Sequence, residues 1–123
     1  MKRLQDKNIL ITGASSGIGK ECAFRCYEEG AKVHLLGRNE RSLKEIYAHL
    51  NDNNNSIGVL DLKDFERYQS VIENIVTKQG KIDGFIHSAG YQITLPISAM
   101  DHQMYLDIFA VNTISAFEFI RLL

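Results

Sequence analysis

Short apolar runs alternate with stretches of helical spacing along the whole chain. Asn8-Ile9-Leu10-Ile11-Thr12 is β-rich, apolar and stopped by Gly13, the pattern of a strand covered on both faces. From residue 17 to about 29 the spacing turns helical, and Gly30 stands just past the expected helix end. Lys32-Val33-His34-Leu35-Leu36 reads as a second strand. A helix follows over about residues 40–50, with Asn39 placed to cap it. The Asn-rich stretch 51–55 is a loop, and Ser56-Ile57-Gly58-Val59-Leu60 is the third strand. Asp64 is placed to cap a helix reaching about residue 78 and closed by Gly80. Its Phe65, Tyr68, Val71, Ile72, Ile75 and Val76 share one face. Asp83-Gly84-Phe85-Ile86-His87 is the fourth strand, and the loop after it holds the single proline, Pro96. Ser98-Ala99-Met100-Asp101 has the form of a capping box with Asp in place of Glu, and predicts a helix from there to residue 123.

Strands that alternate with helices in this way need crossovers, so the expected fold is α/β, a doubly wound parallel sheet with helices on both faces. A length of 123 residues suits one domain, and 45% apolar content is enough for a core. With 14 basic against 15 acidic side chains the net charge is −1, which argues against nucleic acid or an anionic membrane surface as a partner. No apolar run approaches the roughly 18–20 residues of a membrane span. Basic residues open the chain without an apolar segment behind them, so no leader is expected. Cys22 and Cys26 are too few for a disulfide framework, which predicts reduced, buried thiols and a cytoplasmic setting. They stand four apart with no further ligand in zinc spacing, so no metal site is expected.

The candidate chemistry begins at Thr12-Gly13-Ala14-Ser15-Ser16-Gly17-Ile18-Gly19, between the first strand and first helix. Glycines there let the backbone turn sharply and approach a ligand. The amides that open the helix then face a diphosphate, helped by the positive end of the helix dipole, and Ser15 and Ser16 add hydroxyl donors. A tight turn with no ligand is the plainer alternative. The spacing Gly-x-x-x-Gly-x-Gly departs from both Gly-x-Gly-x-x-Gly and the P-loop. Thr-Gly-x-x-x-Gly-x-Gly is instead the motif of the main branch of the short-chain dehydrogenase/reductases, which the chain resembles along all 123 residues.

The resemblance implies a Rossmann-type fold with the strands and helices of the C-terminal half missing, so that residues 1–123 form the N-terminal dinucleotide-binding part of one domain. It implies cofactor contacts at Gly13, Ser15, Ser16, Gly17, Ile18 and Gly19. After the second strand comes Gly37-Arg38, with no acidic residue before Arg38 to take the ribose hydroxyls of NAD. An arginine offers a planar cationic fork to a 2′-phosphate, and the resemblance likewise implies NADP as cofactor. Asp61 and Leu62, after the third strand, match residues beside the adenine; a helix-entry Asp capping its own turn is the alternative for Asp61. Ala89 and Gly90 match the family's Asn-Asn-Ala-Gly at the ribose, whereas His87 and Ser88 depart from it. For His87 a strand-end histidine held by backbone partners is the expectation, not a catalytic base. Asn112 matches an asparagine that, in the family, holds a helix kink and serves the catalytic proton relay.

The family's Ser and Tyr-x-x-x-Lys are not found after Asn112, and none of the five tyrosines has Lys four residues on. The chain alone is therefore expected to be inactive, as the cofactor half of an NADP-dependent oxidoreductase that exchanges hydride between carbonyl and alcohol. Fourteen of the residues 104–123 are apolar and fall on all sides, predicting one helix about 30 Å long and buried all round. The resemblance implies that this helix helps to build a homo-oligomer, dimer or tetramer. The fourth strand is expected to be an unpaired edge, and the parent protein to be longer, about twice this length by the resemblance. A non-catalytic NADP-binding sensor is the rival reading. A methyltransferase is a third, against which Arg38 counts, because an acid at that point would hold the ribose.

Overall fold

The computed structural model describes residues 1–123. Four parallel strands, β1 (Asn8–Thr12), β2 (Lys32–Gly37), β3 (Ser56–Val59) and β4 (Gly84–His87), form one sheet in the order β3-β2-β1-β4. The helices between them are α1 (Gly17–Glu28), α2 (Glu40–Ala48) and α3 (Tyr68–Gln79), and the chain continues through α4 (His102–Phe109) and α5 (Ser115–Leu122). Chain direction across the sheet reverses between β1 and β4. In a parallel open sheet that reversal leaves a crevice at the carboxyl ends of the two strands.

Alternate residues of the central strands feed two cores. Ile9, Ile11, Val33 and Leu35 pack with Ala23 of α1 and Leu43 and Ile46 of α2. Leu10 and Leu36 face the other way, with Leu60, Tyr68, Ile72, Ile75 and Phe119. Tyr68 and Phe119 stack at 4.2 Å between ring centres, joining α3 to α5. This burial on both faces explains why the strands are apolar throughout rather than alternating.

His34 is an exception within the second core. It is fully buried, with Nδ1 2.8 Å from Ser56 Oγ and Nε2 3.0 Å from Asn8 Oδ1. The Asn8 amide donates to the carbonyls of Gln79 and Lys81, so Oδ1 is its acceptor and His34 carries its proton on Nε2. Polar bonds thus run across β3, β2 and β1 to the turn before β4. They hold the edge strand to the sheet's centre from a position where no water is needed.

Several local expectations are corrected. The helix after Asp64 opens as a single 3-10 turn, Phe65–Arg67, and the Asp64 side chain caps nothing. Ser98 does not open the last helix, because Ile97–Ala99 is a separate 3-10 turn. The cap is Asp101, whose carboxylate accepts from the Met104 amide at 3.0 Å. The last segment is not one α-helix, since Ala110–Ile114 forms a widened π-type turn in which the Ser115 amide reaches back five residues to Ala110. Nor is it buried all round: Ser115 and Phe119 are buried, but Phe117 is 68% exposed, and Leu106, Phe109 and Ile120 lie open beside it. Within the chain, only one face of the segment meets the sheet and α3. Cys22 and Cys26 are half-buried at the edge of the first core, where burial pushes the Cys26 thiol up. No helix is long and apolar enough to cross a membrane.

Burial holds the His34 imidazole down at about 4, against an ordinary value of 6.5. The unfolded chain therefore binds the extra proton first, and stability present above pH 6.5 falls as the pH drops toward 4. Urea titrations across that window should show the decline, and His34→Gln should flatten it; an unchanged slope in the variant would exclude His34 as its source.

Candidate functional site

The crevice at the β1–β4 reversal is a cleft of about 380 Å³. Its floor is made where two loops almost touch. Gly13 has φ +63°, and a Cβ there would lie 2.6 Å from the Ala89 amide nitrogen, so only glycine lets the first loop pass against the loop after β4. The Ala14 amide donates to the Leu36 carbonyl, fixing the same loop to β2. Gly17, at φ +55°, has open space where its Cβ would stand, and the residue lines the cleft.

Helix α1 begins at the cleft with Ser16 as its N-cap, and the Ser16 hydroxyl makes no capping bond. In contrast, Asn39 and Asp101 close the starts of α2 and α4 with side-chain oxygens. The first amides of a helix have no intrahelical acceptor, so those of α1 are left to a ligand with the helix dipole behind them. An anionic group such as a diphosphate fits this end.

At the far end of the cleft stand Ser15, Gly37, Arg38 and Asn39. A Cβ on Gly37 would sit 3.3 Å from Ser15 Oγ, so a larger residue there would crowd the serine. Arg38 is exposed and has no carboxylate partner, whereas its neighbours Lys44 and Arg41 pair with Glu40 and Glu45. An unpaired guanidinium beside a serine hydroxyl can bind a phosphate dianion.

The third wall is Leu60, Asp61 and Leu62. One Asp61 oxygen accepts from the Lys63 amide at 2.9 Å, so the residue both caps its own turn and lines the cleft. Leu62 is held from behind, because the buried Tyr68 hydroxyl donates to its carbonyl at 2.5 Å. Desolvation pushes the Tyr68 hydroxyl above its ordinary range, which suits it to donate and not to ionise.

The fourth wall is Ser88, Ala89, Gly90 and Tyr91, with Val111 beneath. Asn112 lies behind this wall and does not line the cleft. Its Oδ1 accepts from the Tyr91 amide at 3.0 Å and its Nδ2 donates to the Tyr91 carbonyl at 2.8 Å. The residue occupies the π-type turn, where a kink was expected. His87 has one side-chain and one backbone partner, not backbone partners alone: Nδ1 is 2.9 Å from Thr12 Oγ1 and Nε2 3.3 Å from the Asn112 carbonyl.

Gly13, Ser15, Ser16, Gly17, Ile18, Arg38, Asp61, Leu62, Ala89 and Gly90 therefore meet around one space. Gly19 does not reach it. Gly19 packs under the loop, where a Cβ would collide with the Gly13 carbonyl, so its contribution is close packing of helix on turn. Gly37, Asn39, Tyr91 and Val111 also border the cleft, beyond the contacts expected from the sequence. Gly37 and Asn39 flank Arg38, and that adjacency was the available signal. Val111 carries no polar group and comes from α4–α5, so only the tertiary fold could reveal it.

The model of the short chain dehydrogenase family matches residues 7–123. The uncharacterised oxidoreductase YciK of Escherichia coli K12 is 36% identical over 120 residues, covering 93% of this chain and 48% of its own length. A short chain dehydrogenase structure from E. coli CFT073, complexed with NADPH, superposes with a TM-score of 0.88 at 35% identity, over 99% of this chain and 53% of that one. A Shigella flexneri 2a structure complexed with NADP gives 0.88 at 34% identity, over 99% and 54%. The chain spans about half the length of the relatives it matches.

Two glycines should separate stability from binding. Gly13→Ala should destabilise by about 3 kcal/mol or more, since it combines a left-handed backbone with a clash against the Ala89 backbone. Gly17→Ala meets no such clash and should cost only about 1–2 kcal/mol, while weakening whatever occupies the cleft. Chemical denaturation of both variants checks the order, which is wrong if Gly17→Ala is the less stable.

Proposed function

The chain belongs to the short-chain dehydrogenase family, and from that premise we propose that it forms the NADP-binding part of an oxidoreductase acting between a carbonyl and an alcohol. The observation that carries the cofactor choice is Arg38, unpaired at the end of the cleft, beside Ser15 and after Gly37, where no acidic side chain stands. The NADPH and NADP complexes of the two similar structures support the same reading. When bound, the nicotinamide supplies or receives the hydride.

This chain's own residues bind and orient. Arg38 and the Ser15 hydroxyl hold the 2′-phosphate, and the opening amides of α1 hold the diphosphate. Asp61 and Leu62 receive the adenine end, and Ala89 and Gly90 pass the backbone close to a ribose. Asn112 fixes the Tyr91 backbone, and we assign it a place in the proton relay on the strength of its match to the family. The proposed partner is a small carbonyl or alcohol substrate. The two free thiols support a cytoplasmic setting. Leu106, Phe109, Phe117 and Ile120 form an exposed apolar face, which supports a homo-oligomer built through the last two helices.

Calorimetric titration tests the cofactor. NADPH should bind more tightly than NADH, and Arg38→Ala should lose about 10- to 100-fold for NADPH alone, the equivalent of one charge-assisted contact of about 1.5–3 kcal/mol. Gly37→Asp should move the preference toward NADH. Equal affinities in the unaltered protein would overturn the NADP assignment. Sedimentation tests the assembly: Phe117→Asp should shift the protein toward monomer, and an unaltered chain that is already monomeric at high concentration would exclude this interface.

A further inference from the structure

We propose that His87, in the tautomer protonated on Nε2, is a positioning residue that sets the Ala89–Tyr91 wall of the cleft. The polarity of its bonds follows from the partners. The Asn112 carbonyl can only accept, so Nε2 must carry the proton, which leaves Nδ1 as an acceptor in the neutral ring. Thr12 therefore donates its hydroxyl to Nδ1. The same Thr12 oxygen accepts from the Ala89 amide at 3.4 Å.

The result is a directed chain from the Ala89 amide to the Thr12 hydroxyl, to His87 and on to the Asn112 backbone. Asn112 in turn clamps both polar groups of the Tyr91 backbone. Every donor in this chain has one acceptor, and Thr12 is fully buried, so water has no access to repair a broken link there. The two ends of the segment Ala89-Gly90-Tyr91 are thus tied to different parts of the fold, Ala89 to the end of β1 and Tyr91 to the π-type turn. His87 is the group that joins those anchors. The π-type turn is itself fixed, since the Ser115 amide passes over Val111 to Ala110 while the Ser115 hydroxyl donates to the bypassed Val111 carbonyl at 2.6 Å.

This geometry also separates the two links chemically. In His87→Asn the side-chain oxygen can stand where Nδ1 stood and accept from Thr12, but the side chain is too short for the Asn112 carbonyl. In His87→Gln the terminal amide can take the place of Nε2 and donate to that carbonyl. His87→Leu removes both. The consequence for cofactor affinity rests on the NADP reading above, whereas the bracing of the wall does not.

The test is nuclear magnetic resonance on the whole 123-residue chain. A long-range proton–nitrogen spectrum should show His87 as the Nε2–H tautomer. His87→Leu should speed amide exchange at Ala89 and Tyr91 by about 5- to 10-fold, the worth of a hydrogen bond of about 1 kcal/mol, and leave Val33 in β2 unchanged. His87→Asn should restore protection at Ala89 and His87→Gln at Tyr91. An Nδ1–H tautomer, no change in exchange, or equal acceleration at Val33 would overturn the proposal, the last because it marks a general loss of stability. Should His87→Leu not fold, the tautomer and the Asn/Gln pair decide. If the unaltered chain shows this pattern but gives no heat with NADPH, the positioning role stands and the cofactor reading falls.

Discussion

The approach of Gly13 to Ala89 is the contact on which the cleft depends. Two loops from the carboxyl ends of adjacent parallel strands pass backbone against backbone, at a distance that a single methyl group would forbid. Because β1 and β4 are neighbours with the chain reversing between them, their loops diverge above that contact and open the space a ligand can enter. Everything that faces the cleft is measured from this point. It sets the start of α1, the place of Ser15 beside Gly37, and the height of the Ala89–Tyr91 wall.

A floor held by close packing needs walls held by something directional, and here those are hydrogen bonds, buried at Tyr68, part-buried at Thr12 and His87 and exposed at Asn112. Tyr68 fixes Leu62 from behind, Asn112 fixes Tyr91, and Thr12 with His87 lies between them. At the opposite end of the strands the His34–Asn8 bonds do the same for the edge of the sheet. Buried polar groups of this kind are costly when unpaired, and every buried side-chain nitrogen and oxygen has a partner. Their value lies in geometry, because apolar packing alone would allow the loops to slide.

Much of this was legible along the chain. The four strands and the first helices are set by local rules, namely apolar runs buried on both faces, glycine at the stops and Asn39 at a helix start. Ten of the eleven expected cofactor contacts meet in one cleft because they all sit at strand ends on the same side of the sheet. The failures are instructive. Ser98 looked like a cap, but Pro96 leads into a separate 3-10 turn and Asp101, three residues later, takes the role. The last helix looked uniformly buried because its sequence is apolar on every side, and composition does not say which faces have something to pack against.

The sequence by itself determined the order of elements and the glycine turn, since each follows from interactions between residues a few positions apart, and the alternation of strands with helices then called for a parallel sheet. It also placed Arg38 where an acid is missing. Only the tertiary structure decided what His87 and Asn112 do, that Gly19 packs and does not line the cleft, and that one face of the last two helices is open. The roles of His87 and Asn112 depend on partners more than twenty residues away, such as Thr12 for His87. A hydrogen bond of that range has no periodic trace in the chain; it exists only once the strands are side by side.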